Sequence, residues 1–277
     1  MATKTSFHQK VLAGGMAAAL LLGSLLSGCT SQPGETNKDG ENLPVITVGC
    51  VTYSPFSYVD VDGNLTGIDI ELATEAFHRM GYQPQFVIIN WEEKKDLLRS
   101  GEIDCVWSSF TMDGREEEYQ WAGPYMESHQ VVAVNTDSEI YSLQDLAGKT
   151  IAVQSTTKPE DIIRSHTVNL PELRKVISVQ KRDLIFILLS KGYVDALAAH
   201  DTSIEQFMAE SDLEFRILEE PLLTVGLGVA FDKEDTTGRN TKLTKVLEKM
   251  YQDGTTQEII GKYLSDADRY LGGSYEN

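Results

Sequence analysis

Leu98-Arg99-Ser100-Gly101-Glu102-Ile103-Asp104-Cys105-Val106-Trp107-Ser108-Ser109-Phe110-Thr111 reads as a helix end, a stop, a buried strand and a polar strand end. The helix begins near Glu92, and Gly101 terminates it. Ile103 to Trp107, apolar apart from Asp104, has the length of a strand. The same order returns in Asp183 to Lys191, Gly192, Val194 to Ala199 and then His200-Asp201, with a further helix expected from Thr202. Working outward, Val45 to Cys50 is a strand, and Leu72, Ala73, Ala76, Phe77 and Met80 share one helical face before Gly81. Strands are expected at Phe86 to Ile89 and Gln130 to Val134, and Asp113 with Glu116 has the pattern of a capping box opening a short helix. A second set holds a capping box at Ser142 and Asp145, strands at Thr150 to Val153 and Val176 to Val179, and a helix at Glu160 to Ser165. A strand at Leu227 to Phe231 and helices at Asn240 to Tyr251 and Thr256 to Leu264 close the chain. Alternating strands and helices imply parallel sheets covered on both faces, here as two α/β lobes. Such lobes bind ligands outside the carboxyl ends of their strands, so the polar residues just after strands are the candidates.

Composition bounds the rest. The 277 residues are 41% hydrophobic and 24% charged, a globular balance. A formal net charge of −18 argues against nucleic acid, which needs a basic patch. Lys4 and Lys10, the apolar run Val11 to Leu26, and Leu26-Ser27-Gly28-Cys29 have the form of a lipoprotein signal peptide over 1–28, with lipid on Cys29. No later apolar stretch is long enough to span a bilayer. Thr30 to Pro44 is polar and reads, with Cys29, as a flexible tether over 29–44 reaching roughly 20 Å. Cys50 and Cys105 are left either as a disulfide or as small buried residues, and with no histidine pattern they make no metal site.

There is no Gly-x-Ser-x-Gly, Walker A, GxGxxG or HExxH motif. His78, His129 and His166 are expected to be solvated, and no catalytic residue, metal or cofactor is assigned. Polar strand ends do stand out. Ser108, Ser109 and Thr111, followed by Arg115, suit a carboxylate through a bidentate guanidinium pair and hydroxyls, and equally suit a turn beside a surface arginine. Gln154-Ser155-Thr156-Thr157 leads into a helix, where free N–H groups favour an anion or where a threonine simply caps. Asp201 suits an ammonium group or an N-cap. Tyr53 and Phe56 suit a pocket wall or the core. Together these pieces match the head group of an α-amino acid.

The order of several segments resembles the extracellular solute-binding proteins, family 3, which serve polar amino-acid ABC importers. The carriers are Tyr53-Ser54-Pro55-Phe56, Asp62 to Asp69, Leu98 to Asp104, Arg115 through Trp121 to Tyr125, Leu143 to Gly148, Val194-Asp195-Ala196, Asp201 and Asp253-Gly254. The resemblance implies a two-lobed, type II periplasmic-binding-protein-like α/β fold, with two parallel or mixed sheets joined by a two-strand hinge. Lobe I would span 45–133 and 228–277, and lobe II 134–227. By position, Arg115 with Ser109 and Thr111 would hold the ligand carboxylate, Thr156 and Thr157 would meet it from lobe II, and Asp201 would take the ammonium. Tyr53 and Phe56 would pack on the ligand side chain, with Trp107 and Trp91 beside them, and Ser108 and Gln154 complete the candidate set. Three departures stand out: Gln154 to Thr157 and Thr111 to Arg115 are each shorter than usual, and Cys50-Val51-Thr52 lacks the acid that some binders of basic amino acids carry. The implied partners are a small polar amino acid or a derivative such as cystine and the permease of an ABC importer, with the protein monomeric, extracytoplasmic and held to the membrane by lipid alone. A cyclohexadienyl dehydratase-like enzyme, needing an acid in the cleft with Glu92 or Glu93 as candidates, and an extracellular sensor domain are the rivals on the same scaffold.

Overall fold

The computed structural model describes residues 43–271. The expected leader, Cys29 and the tether as far as residue 42 lie outside the described residues. In chain order the elements are β1 (Val45–Cys50), β2 (Tyr58–Val59), β3 (Leu65–Thr66), α1 (Ile68–Arg79), β4 (Gln83–Ile88), α2 (Lys94–Ser100), β5 (Cys105–Thr111) and β6 (Gln120–Asn135). Then come β7 (Thr150–Gln154), α3 (Lys158–Arg164), β8 (Lys175–Val179), α4 (Asp183–Ser190), β9 (Ala196–His200), α5 (Asp201–Glu210), β10 (Phe215–Ile217) and β11 (Leu223–Phe231). Helices α6 (Arg239–Gln252) and α7 (Thr255–Gly261) follow.

The strands form two α/β lobes that share one hydrogen-bonded path, β4-β1-β5-β11-β6-β9-β7-β8, with β10 added beside β6. In lobe I, β1 pairs in parallel with β4 and β5. In lobe II, β7 pairs in parallel with β8 and β9. The long strands β11 and β6 run antiparallel to each other, Leu223 opposite Gln130 through Phe231 opposite Gln120, and carry the sheet from one lobe to the other. The expected pair of sheets is therefore continuous through its two crossover strands.

Side-chain periodicity explains the packing. Helix α1 buries Ile68, Leu72, Ala73, Ala76 and Phe77 against the lobe I sheet, beside Leu243, Leu247 and Met250 of α6. Each such fully buried large side chain contributes about 2 kcal/mol. Alternation along β5 sends Cys105 and Trp107 into that core and Val106 and Phe110 into a smaller aromatic cluster on the other face. Lobe II has an apolar cluster on each face of its sheet, around Ile151 with Ile163 and around Leu197 with Phe186. The stop at Gly101 is a left-handed C-cap with φ of 75°, where a β-carbon would cost about 1–2 kcal/mol.

The structure differs from expectation around Asp113 and in the length of β6, and chooses between the two alternatives for Cys50 and Cys105. Asp113 and Glu116 open no helix: Gly114 takes φ of 72°, Asp113 accepts from the Gly226 N–H at 2.8 Å, and Glu116 accepts from the Gly114 N–H. Strand β6 extends well before Gln130, despite the Gly123-Pro124 pair that reads as a strand breaker. Cys50 and Cys105 are both buried free thiols, not a disulfide. No described helix is long and apolar enough to cross a membrane.

Candidate ligand-binding cleft

The carboxyl ends of β1, β5, β7 and β9 converge on a cleft between the lobes, holding about 480 Å³ of space not filled by atoms, part of it open to solvent. Lobe I supplies Tyr53, Trp91, Ser108, Ser109, Thr111 and Arg115; lobe II supplies Gln154, Thr157, Lys158, Arg182 and His200, and Gln130 lies on a crossover strand. The lobes touch at the rim. Glu92 accepts from Ser155 Oγ at 2.8 Å and from Gln180 Nε2 at 2.6 Å, and Ser54 Oγ donates to Glu210 at 3.0 Å.

Two facing strand ends carry strained backbone. Ser109 and Thr156 have φ of 42° and 56°, the left-handed region that non-glycine residues seldom occupy. A carboxylate ties down each N–H: Asp69 accepts from Ser109 at 2.6 Å, and Glu160 accepts from Thr156 at 2.6 Å. Asp69 is wholly buried at the start of α1 and also accepts from Tyr125 Oη at 2.7 Å. Burial lifts its carboxyl to about 7, against the pull of these two hydrogen bonds. The lobe II helix start thus already holds a protein carboxylate, so Thr156 N is not free for a ligand.

Arg115 reaches the backbone carbonyls of Thr111 and Thr156 only at 3.4 Å, and its Cζ lies 5.3 Å from the Phe110 ring centre. Ser108 Oγ accepts from the Val51 N–H and ties the ends of β1 and β5 together, and Thr157 Oγ1 donates to the Gln154 carbonyl. Lys94 sits behind this wall, 4.5 Å from the Trp91 ring centre, and donates to Thr156 Oγ1 at 3.3 Å. Burial, with Arg115 adding to it, lowers the Lys94 ammonium to about 8.

Of the expected residues, Tyr53, Trp91, Ser108, Ser109, Thr111, Arg115, Gln154 and Thr157 line the cleft. Phe56 and Trp107 do not; both are fully buried in the lobe I core, Trp107 edge-on to Phe77. Thr156 faces the rim beside Lys94. Asp201 lies furthest from its expected place. Strand β9 continues to His200, so His200 ends the strand in the cleft wall and Asp201 opens α5 facing away. The Asp201 carboxylate is held by His129 at 3.0 Å and Arg269 at 3.1 Å, so His129 is not simply solvated either. His200 lies between Ser128 Oγ and Gln130 Nε2, and burial together with Arg182 lowers it to about 3, a neutral imidazole. Arg182, whose guanidinium lies over the Tyr53 ring, was missed, as were Lys158, Gln130 and His200. The signal for Arg182 was present: it follows strand β8 by three residues, where polar strand-end residues belong.

Two α/β lobes, bridged by two strands and enclosing a cleft at their strand ends, define the periplasmic-binding-protein-like class of solute binders. The chain belongs to the bacterial extracellular solute-binding proteins, family 3, whose model matches residues 46–266. It is 31% identical over 232 residues to the histidine-binding periplasmic protein of Escherichia coli (strain K12), covering 80% of this chain and 87% of that one. The structure of an ABC uptake transporter substrate-binding protein from Streptococcus pneumoniae with bound histidine matches with a TM-score of 0.73 at 26% identity, over 80% of this chain and 92% of the other. An ancestral amino-acid-binding protein, AncCDT-1, described as a precursor of cyclohexadienyl dehydratase, matches with a TM-score of 0.70 at 26% identity, over 79% of this chain and 95% of that one.

Proposed function

We propose that this chain is an extracytoplasmic lipoprotein, anchored through lipid on Cys29, that holds a small amino acid or amino-acid derivative between its lobes and delivers it to the permease of an ABC importer. The observation that carries this reading is Arg115. Its guanidinium lines the cleft with no carboxylate partner among the described residues, beside the hydroxyls of Ser109 and Thr111, which suits a ligand carboxylate. Closure brings Thr157 and Gln154 onto the same ligand from lobe II. Excluding water there strengthens the ion pair. The ammonium role expected of Asp201 is not part of this reading, because its carboxylate is committed to His129 and Arg269.

The AncCDT-1 likeness raises the dehydratase reading. Glu92, the acid that reading would use, is engaged at the rim by Ser155 and Gln180, which favours binding over turnover. A thermal-shift screen of the purified protein against amino acids and their derivatives tests the proposal. A ligand at about 100 times its dissociation constant adds about 2.7 kcal/mol. No shift with any of them overturns it. Cys29→Ser should move the protein from the membrane fraction to the soluble one, and continued membrane retention overturns the anchor.

A further inference from the structure

The protein is acidic, yet the cleft is not. The charged residues that line it are Arg115, Lys158 and Arg182, and neither an aspartate nor a glutamate is among the described residues of its wall. Lys158 has an acid partner outside, Asp161 at 3.2 Å. Neither guanidinium makes an ion pair among the described residues, and Asp161 and Glu118 act on Arg115, and Asp183 on Arg182, only at longer range. Among the described residues Arg115 makes two long contacts to backbone carbonyls and a ring contact with Phe110, and the Arg182 guanidinium makes no hydrogen bond or ion pair, only its face contact with Tyr53. Both arginines are only half-buried, and an anion bound between the closing lobes would complete their burial while pairing with each guanidinium.

An α-ammonium group has no carboxylate counterpart among the described residues of this cleft wall. The position that would receive it is occupied by His200, an imidazole between Ser128 and Gln130, while Asp201 faces the other way. What the wall does offer is neutral acceptors. The amide oxygens of Gln130 and Gln154 are buried and have no hydrogen-bond partner among the described residues. The amide oxygens suit an amide N–H, while two guanidiniums with no acid among the described residues of the wall oppose a second cation.

We propose that the ligand is a small dianion without a free ammonium group, a dicarboxylic acid or an N-acylated acidic amino acid, with one anionic group on Arg115 and the other on Arg182. This rests on the reading of the cleft as the solute site. Calorimetric titration of the wild-type protein compares glutamate with N-acetylglutamate and with glutarate, and histidine with N-acetylhistidine. The ammonium-free dianions should bind at least about tenfold more tightly than glutamate, and the stronger of the two arms identifies the source. Arg182→Gln should weaken the dianion about tenfold to a hundredfold while changing affinity for a monoanion such as N-acetylhistidine by far less. Tighter binding of the free amino acids overturns the inference and leaves the solute-binding reading standing. Binding of none of these, and of no other amino acid, overturns that reading as well.

Discussion

Glu92 lets closure be separated from ligand contact. Its carboxylate spans the rim, accepting from Ser155 Oγ at 2.8 Å and Gln180 Nε2 at 2.6 Å, both on lobe II, while Glu92 itself belongs to lobe I. These bonds exist only when the lobes meet. All three residues are at the surface, so each bond is discounted to about 0.5–1 kcal/mol. Glu92→Ala therefore destabilises the closed form by about 1–2 kcal/mol and leaves the open form unchanged. Because the ligand is held by the closed form, its apparent affinity falls by about 5- to 30-fold although no ligand contact is touched. Calorimetry measures the affinity, and stopped-flow fluorescence should place the change in the dissociation rate. Chemical denaturation of the ligand-free protein should move by less than the binding free energy does. Unchanged affinity, or equal losses in binding and in ligand-free stability, would refute the latch.

Other consequences follow from the buried groups. Burial raises the Asp69 carboxyl from 3.8 to about 7, so the folded state binds this proton more tightly than the unfolded one, and its contribution to stability is lost as pH rises from about 4 to 7. Integrated, that is of the order of 4 kcal/mol. The stability difference between wild type and Asp69→Asn, measured by urea denaturation, should shift in the variant's favour over that window; a pH-independent difference refutes it. Burial pushes the Cys50 thiol up to about 12 and Cys105 up further, so neither thiol should react with Ellman's reagent at pH 8 until denaturant is added. Rapid labelling of the native protein contradicts this.

The two-lobed architecture was legible because glycine stops such as Gly101 and strand runs such as Ile151 to Val153 repeat in order, and each element is read from a local period. The cleft was half legible for the same reason. Ser108, Ser109, Thr111, Arg115, Gln154 and Thr157 lie at or just after the ends of β5 and β7 and line it. What failed depends on single-residue register. One more residue of strand in β9 exchanged His200 for Asp201 at the cleft, and strict alternation in β5 sent Trp107 to the core. The left-handed turns at Ser109 and Thr156 are set by Asp69 and Glu160, contacts the local pattern does not encode. Arg182 follows β8 like the other strand-end candidates, but Gln180 and Lys181 do so too, and only tertiary structure singles it out by laying it over Tyr53.

The anion clamp is the centre of the account, and Arg115 tests it most directly. Calorimetric titration of Arg115→Ala with the tightest ligand of the wild-type protein, beside thermal melts of both ligand-free proteins, separates binding from folding. The expected affinity loss is about 3 kcal/mol, roughly a hundredfold, because a ligand charge is left buried and unpaired. Near wild-type affinity in a folded Arg115→Ala variant would contradict it.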